Sequence, residues 1–132
     1  MRCYQFNKLI RSKLPMRMID EGVIINSTKL SKVEYIVQLK NKIVEEAEEV
    51  LLASSQENLK TELADVLEVI HALADVSGIK MQEIEEYRLE KLEVNGRFQA
   101  NNYINYIEVE KDNHKVIKYL NNKDRPYKFS EN

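Results

Sequence analysis

The sequence contains few of the residues that stabilise small extracellular proteins or interrupt helices. Its 132 residues include one cysteine, no tryptophan, two prolines and three glycines. The single thiol, Cys3, cannot form an internal disulfide, which favours a reducing cytoplasm. Because helix-breaking residues are so rare, we expect long helices.

Long apolar runs are also missing. None approaches the roughly 20 residues that a membrane helix needs, and the basic stretch MRCYQFNKLIRSK lacks the apolar segment of a secretory signal. Charged residues make up 32% of the chain, and the net charge of −2 gives no general attraction to nucleic acids or anionic membranes. We therefore expect a cytoplasmic globular protein that binds neither a nucleic acid polymer nor a membrane.

Apolar residues at helical spacing predict an all-α bundle of about four helices. The first is expected over residues 8–21, where Pro15 either kinks or starts the helix. The second begins after Ser31, which with Glu34 matches a capping box, and it reaches about Ala53.

Two further helices are predicted before residue 96. Ser54 and Glu57 match a second capping box, and the apolar stripe that follows ends at the SGI sequence, residues 77–79. The fourth helix is expected from about Met81 to Val94, where an Asn-Gly pair provides a stop signal.

The composition changes after Gly96. Residues 101–110 (NNYINYIEVE) are rich in Tyr and Ile and partly alternate, which predicts a small β appendage. Residues 111–132 are polar, and Pro126 with nearby aromatics indicates a docked or partly disordered tail. We thus expect one helical domain over residues 1–110, including the β segment, followed by the tail.

Four carboxylates flank the apolar stripes of the second and third helices. Glu46 and Glu49 are three residues apart, as are Glu62 and Asp65, so each pair shares a helix face. If the turn lies at Ser54, Glu46 and Glu62 lie at nearly the same level of an antiparallel pair, and the other two lie within roughly 5 Å of it. Because packed helices are about 8–10 Å apart, all four can converge in the groove between them.

Such a cluster is unfavourable alone, because like charges repel. Mg²⁺ removes the repulsion: it binds carboxylate oxygens, keeps some waters and shares its shell with substrate phosphates. The spacing therefore favours an open metal site that handles a phosphate ester or anhydride. The alternative is a helical interaction module whose acidic face is only solvated.

The acidic residues also carry a family resemblance. The EExxE sequence that begins at Glu45, followed after twelve residues by ExxD at Glu62, resembles the signature of the MazG-like all-α nucleoside triphosphate pyrophosphohydrolases. That group includes phosphoribosyl-ATP pyrophosphohydrolases and all-α dUTPases. FNKLIRSKLP, residues 6–15, is similar to YNKLVRDKIP of a MazG-like subgroup of predicted house-cleaning pyrophosphatases, as are ELADVLEVIHALADVSGI and NGRF. The resemblance covers roughly residues 4–110.

This resemblance implies a helical hydrolase that uses Mg²⁺, or Mn²⁺ in its place. Such an enzyme cleaves a nucleotide between its α and β phosphates and releases a nucleoside monophosphate and pyrophosphate. Members of the family typically form dimers or tetramers, and a neighbouring chain often completes their active sites. We therefore expect a homodimer or homotetramer. The implied metal ligands are Glu46, Glu49, Glu62 and Asp65.

The resemblance also implies roles for other polar residues. Glu45 would bind a second cation or orient the attacking water, and either Glu45 or Glu49 would accept the proton of that water. Four N-terminal residues would contact the substrate, although the three basic ones can equally be surface charges, and the asparagine can instead cap the first helix. They are Asn7, Lys8, Arg11 and Lys13.

Two positions depart from the subgroup, which usually has Asp at Ser12 and Gly at Arg97. If that Asp held a phosphate-binding loop, its loss would alter substrate handling. Phosphoribosyl-ATP is the less expected substrate, since the N-terminal stretch is similar to the other subgroup. Noncanonical or damaged nucleotides are expected by resemblance only, and a member that binds nucleotides without hydrolysing them stays open.

Two other patterns are weaker. Glu68-x-x-His71 has the spacing found in di-iron bundles, but the only other histidine, His114, lacks a Glu three residues before it. The tyrosines at 103 and 106 could stack on single-stranded nucleic acid, but they lack interleaved basic residues. We expect His71 to be an ordinary helix residue.

Overall fold

The computed structural model describes residues 1–122 and is all-α over that range, which confirms the predicted class. It has five helices there and no strand. It divides into two units, Met1–Val94 and a second that begins at Asn95. The domain over residues 1–110 stays a prediction. The helices are α1 (Leu14–Asp20), α2 (Lys32–Leu52), α3 (Gln56–Val76), α4 (Met81–Asn95) and α5 (His114–Leu120).

The first helix is shorter than the sequence predicted. Pro15 lies in its first turn, where a residue without an N–H is tolerated, so the proline starts the helix rather than kinking it. Residues 8–13 therefore precede the helix. The helix ends at Asp20, and Gly22, with a φ of +87° in the left-handed region, follows the cap residue Glu21 and turns the chain away.

The second helix starts at the predicted capping box. Ser31 Oγ accepts a hydrogen bond from the Glu34 N–H at 3.2 Å, and Glu34 Oε2 accepts one from the Ser31 N–H at 2.9 Å. These bonds, the one from the Ser31 backbone first, lower the pKa of Glu34. The two orphan N–H groups at this helix end are thereby satisfied.

The third helix starts one residue later than predicted. Its cap is Ser55, whose Oγ accepts a hydrogen bond from the Asn58 N–H at 3.0 Å, and the Ser54 N–H donates to Asn58 Oδ1 at 3.3 Å. Glu57 is not part of this cap and pairs with Lys60 instead. Asn58 therefore has the reciprocal role that was predicted for Glu57.

Helices α2 and α3 form a hairpin with a three-residue connection. A connection this short makes the two helices antiparallel neighbours, and within residues 1–122 no other helix pair packs along its length. Leu39 of α2, with Val69 and Ala74 of α3, are the buried residues of the described chain. The hairpin is thus the part of the fold that can hold a site in a fixed geometry.

The predicted β appendage is absent, because residues 101–110 form neither helix nor strand. Tyr103 and Ile104 are exposed, and a strand without a partner leaves its backbone groups unpaired. Helix α5 lies inside the predicted tail over 111–132, and the rest of that tail, with Pro126, lies outside the described residues. None of the helices within 1–122 has the length and apolar content of a membrane span.

Candidate metal centre

Three carboxylates meet in the groove between α2 and α3. Glu46 of α2 and Glu62 and Asp65 of α3 each offer one oxygen, and these oxygens all lie within 4.8 Å of one another. The side chain of Glu46 is 12% exposed and that of Asp65 is 33% exposed. The predicted level of Glu46 and Glu62 in the hairpin is confirmed by this proximity.

The spacing of these oxygens suits a divalent cation. Oxygens bound to one Mg²⁺ are about 3.0 Å apart when adjacent and about 4.2 Å apart when opposite, since each bond is about 2.1 Å. Oxygens up to 4.8 Å apart would therefore have to move closer, by up to roughly 1.8 Å, to share one ion. Carboxylate oxygens are the ligands that such hard cations prefer. Three protein ligands also leave positions for waters and phosphate oxygens.

Glu62 is held in place by Asn58, which also takes part in the capping of the same helix. Asn58 Nδ2 donates a hydrogen bond to Glu62 Oε1 at 3.3 Å, one turn along α3. The same asparagine closes the cap at Ser55. The start of α3 and the orientation of a candidate ligand therefore depend on one side chain.

Lys42 lies at the acidic groove and was not singled out by the sequence analysis. Its Nζ lies 2.9 Å from Glu45 Oε1 and 3.2 Å from Glu46 Oε1, and its side chain is 18% exposed. Burial lowers its pKa, but the bonds to both carboxylates outweigh burial and the net pKa is raised. The signal was in the sequence, because Lys42 precedes these glutamates by three and four residues on one helix.

Glu45 lies beside the cluster and is held by two lysines. The hydrogen bond from Lys42 lowers the pKa of Glu45, and its charge and that of Lys8 act in the same direction. Lys8 Nζ lies 3.6 Å from Glu45 Oε1. Glu45 is thus kept ionised next to the three clustered carboxylates.

Arg11 reaches the cluster from the N-terminal segment. Its Nη2 donates to Asp65 Oδ1 at 2.6 Å across 54 residues of sequence. With Lys8 at Glu45, two of the four predicted substrate-binding residues lie at the acidic groove.

The other predicted site residues are not brought to the cluster. Glu49 is exposed and lies outside the group of three oxygens, so its role as a ligand stays a prediction. Lys13 occupies the N-cap position of α1, which excludes the alternative that Asn7 caps this helix. Asn7 has a φ of +47°, a conformation that asparagine tolerates better than most residues.

His71 lines a different feature, an open cleft of about 690 Å³ that also includes Glu68 and Tyr35. It is exposed, as expected for an ordinary helix residue. No second cluster of three or more ligands capable of holding a metal occurs within residues 1–122. The described chain therefore offers no di-iron arrangement around His71.

A helical hairpin with carboxylates converging from both helices defines the class: an all-α protein with a candidate divalent-metal site. The family model for phosphoribosyl-ATP pyrophosphohydrolase matches residues 16–89, more than half of the chain. The chain belongs to this family, which is part of the MazG-like all-α nucleoside triphosphate pyrophosphohydrolase superfamily. Searches of curated proteins and of solved structures found no match. The matched range includes the three clustered carboxylates but begins after Lys8 and Arg11.

Proposed function

We propose that this protein is a Mg²⁺-dependent nucleotide pyrophosphohydrolase. It would cleave a nucleoside triphosphate between the α and β phosphates and release a nucleoside monophosphate and pyrophosphate. The observation that carries the proposal is the convergence of Glu46, Glu62 and Asp65 within 4.8 Å, in a chain of a pyrophosphohydrolase family. Anhydride hydrolysis as the reaction class follows from the family.

The three clustered carboxylates would hold the cation. Mg²⁺, or Mn²⁺ in its place, would polarise the phosphate oxygens and lower the pKa of the attacking water. Lys42 keeps Glu46 aimed into the groove, and Asn58 does the same for Glu62. Proteins usually orient metal ligands through hydrogen bonds from neighbouring residues to those ligands.

The proton of the attacking water would pass to Glu45 or Glu49. The two lysines that hold Glu45 ionised make it a weak base but a well-oriented acceptor of a hydrogen bond from water. Glu49 has no ion pair or hydrogen bond within residues 1–122, so no cation competes with the water for its oxygens.

The basic N-terminal segment would bind the phosphates. Lys8 and Arg11 already lie against the acidic groove, and guanidinium and ammonium groups are common partners of phosphate oxygens. Asn7 and Lys13 belong to the same proposal through their place in this segment.

The substrate we favour is a noncanonical nucleoside triphosphate, because the N-terminal segment resembles the house-cleaning subgroup. The matched family favours a second candidate, phosphoribosyl-ATP. Both contain a phosphoanhydride that this site could cleave, so the two differ in what surrounds the base and ribose. We place this activity in the cytoplasm, in line with the lone exposed Cys3.

We also propose a homodimer or homotetramer as the working form. Both helices of the hairpin have apolar side chains that the chain itself leaves exposed, among them Val33 and Leu51 of α2 and Leu63 and Leu67 of α3. Exposed apolar surface of this extent is typical of an interface between subunits.

The test is separate measurement of pyrophosphate and phosphate release, with and without Mg²⁺. The panel contains canonical and modified nucleoside triphosphates and phosphoribosyl-ATP. We expect Mg²⁺-dependent pyrophosphate release that Asp65→Asn reduces at least about 100-fold. Loss of a residue that only hydrogen-bonds to a metal ligand typically costs about 10–100-fold, and loss of the ligand itself should cost more. Glu48→Gln is the control, since Glu48 is an exposed carboxylate of α2 outside the cluster.

Three results would contradict the proposal. Equal activity of Asp65→Asn and Glu48→Gln would remove the assignment of the site. Release of phosphate without pyrophosphate would place the cleaved bond elsewhere. No release from any substrate, by protein that binds Mg²⁺, would leave a nucleotide-binding module.

A further inference from the structure

The cations around the carboxylate cluster are held in two different ways. Lys42 belongs to the same helix as Glu45 and Glu46, contacts both, and is 18% exposed. Arg11 belongs to irregular backbone ahead of α1, and its side chain, which is 58% exposed, makes one ion pair within residues 1–122, with Asp65. Lys42 is therefore a fixed part of the site, whereas Arg11 is attached to it by a single exposed ion pair.

That ion pair uses a carboxylate that a divalent cation also needs. Asp65 provides one of the three oxygens of the cluster and is the acceptor of the bond from Arg11. A guanidinium stays charged at all ordinary pH values and competes directly with another cation for the same carboxylate. Exposed ion pairs contribute little to stability, so the contact can be exchanged.

We propose that Arg11 is an exchangeable counter-cation. In the metal-free protein it neutralises Asp65, and it leaves that carboxylate when a divalent cation binds, which frees its five N–H donors for the phosphates of the substrate. Metal binding would thereby prepare the anion site, and the metal would bind before the phosphates. This inference rests on the proposed function, since it assumes that Asp65 is a metal ligand.

The first measurement is the affinity for Mg²⁺ and for Mn²⁺ alone by titration calorimetry. Because exposed ion pairs are worth about 0.2–1 kcal/mol, Arg11→Gln should bind the cation roughly 1.4- to 5-fold more tightly than the wild type. Arg17→Gln is the matched control: it removes the same charge from the nearby helix α1, where Arg17 has no ion pair with residues 1–122. It should bind the metal as the wild type does.

The second measurement follows the release of Arg11 itself. Trypsin cleaves after arginine, and at low protease concentration the rate reports the population of the freed segment. Mg²⁺ should accelerate cleavage of the Arg11–Ser12 bond by a similar factor of roughly 1.4 to 5, relative to the exposed Lys29–Leu30 bond. In Asp65→Asn, cleavage after Arg11 should already be fast without Mg²⁺, and adding Mg²⁺ should not change it.

The direction in which Arg11→Gln changes the affinity for the metal tests whether Arg11 is exchanged. If Arg11→Gln binds the metal less tightly, Arg11 orients Asp65 as a ligand and the exchange is overturned. Affinity equal to that of Arg17→Gln, or Mg²⁺-independent cleavage after Arg11, overturns it as well.

The pyrophosphate assay separates this failure from failure of the proposed function. Pyrophosphate release with no effect of Arg11→Gln on metal affinity would refute the exchange alone. Tighter metal binding by Arg11→Gln without hydrolysis of any substrate would refute the enzyme alone.

Discussion

Lys42 is the residue on which the acidic groove most depends in the absence of metal. It is the only cation of the described chain that contacts two carboxylates of this groove. Without it, Glu46 would lie beside Glu62 and Asp65 with no cation in contact, and Glu45 would keep only Lys8, 3.6 Å away. Like charges at that range repel and favour binding of protons.

We therefore predict that Lys42→Met destabilises the metal-free protein. The expected loss is about 1–2 kcal/mol, because bonds between charged groups are worth more than neutral ones and this pair is partly shielded from water. Urea unfolding in the presence of a chelator measures it. The control is Lys60→Met, which removes an ion pair of the same spacing whose side chains are 64% and 84% exposed. Equal losses in the two variants would contradict the role of Lys42.

At the same scale, helix spacing predicted that four carboxylates converge, and three of them do. Glu49 shares a face with Glu46 by spacing, yet it is exposed. The rotation of a helix about its axis is set by packing against its neighbours. The spacing of residues within one helix does not determine that rotation. The contact of Arg11 with Asp65 was equally hidden, because it joins residues 54 apart through irregular backbone.

The helix ends show what capping contributes at the scale of one element. Ser31 and Glu34 close the start of α2 reciprocally. Replacing Ser31 by Ala should lower the free energy of unfolding by about 1 kcal/mol, the usual cost of losing such a cap. Urea unfolding at neutral pH measures it, and an unchanged midpoint would contradict this prediction.

The contribution of Glu34 to this cap should depend on pH. Its pKa in the folded protein is lowered from 4.5, so its stabilising effect is present above about pH 4.5 and is lost as the pH falls through the folded pKa. The difference in stability between wild type and Glu34→Ala should therefore shrink below pH 4.5. Glu48→Ala, without a cap, should show no such trend in the same urea series.

Prediction of the elements succeeded where a local signal determines the outcome. The capping box at Ser31 predicted the start of α2, and the Asn-Gly pair at 95–96 predicted the end of α4 to within one residue. The Tyr- and Ile-rich stretch failed, because a strand exists only if another strand pairs with it, and alternation within ten residues cannot supply the partner. Helix α5 was missed although Asn113, which accepts a hydrogen bond from the Val116 N–H, is an ordinary cap residue.

For the whole molecule, the main finding is how little of its apolar surface the chain covers by itself. Val33, Val37, Val44 and Leu51 follow one side of α2 at steps of four, seven and seven residues, and all are exposed. This spacing is the pattern of a seam that packs against another helix. The matched family range contains this whole seam.

We predict that sedimentation of the wild type gives two or four times the mass of the chain. Val37→Asp should shift it toward the monomer, because a charge in an apolar interface is costly to bury. Ile24→Asp is the control, since Ile24 is 80% exposed in the connector before α2 and not in the seam. A monomeric wild type, or equal behaviour of the two variants, would refute the assembly.

The hairpin also sets the order in which the site can form during folding. All three clustered carboxylates lie between positions 46 and 65, so closing the loop between them costs little chain entropy. Bringing Arg11 to Asp65 closes a loop of 54 residues, about 0.9 kcal/mol more costly by the logarithmic dependence on length. Contacts that are near in sequence form first. The negative groove therefore arises before its N-terminal counter-charge, so the nascent chain can meet a dissolved cation before it meets its own arginine.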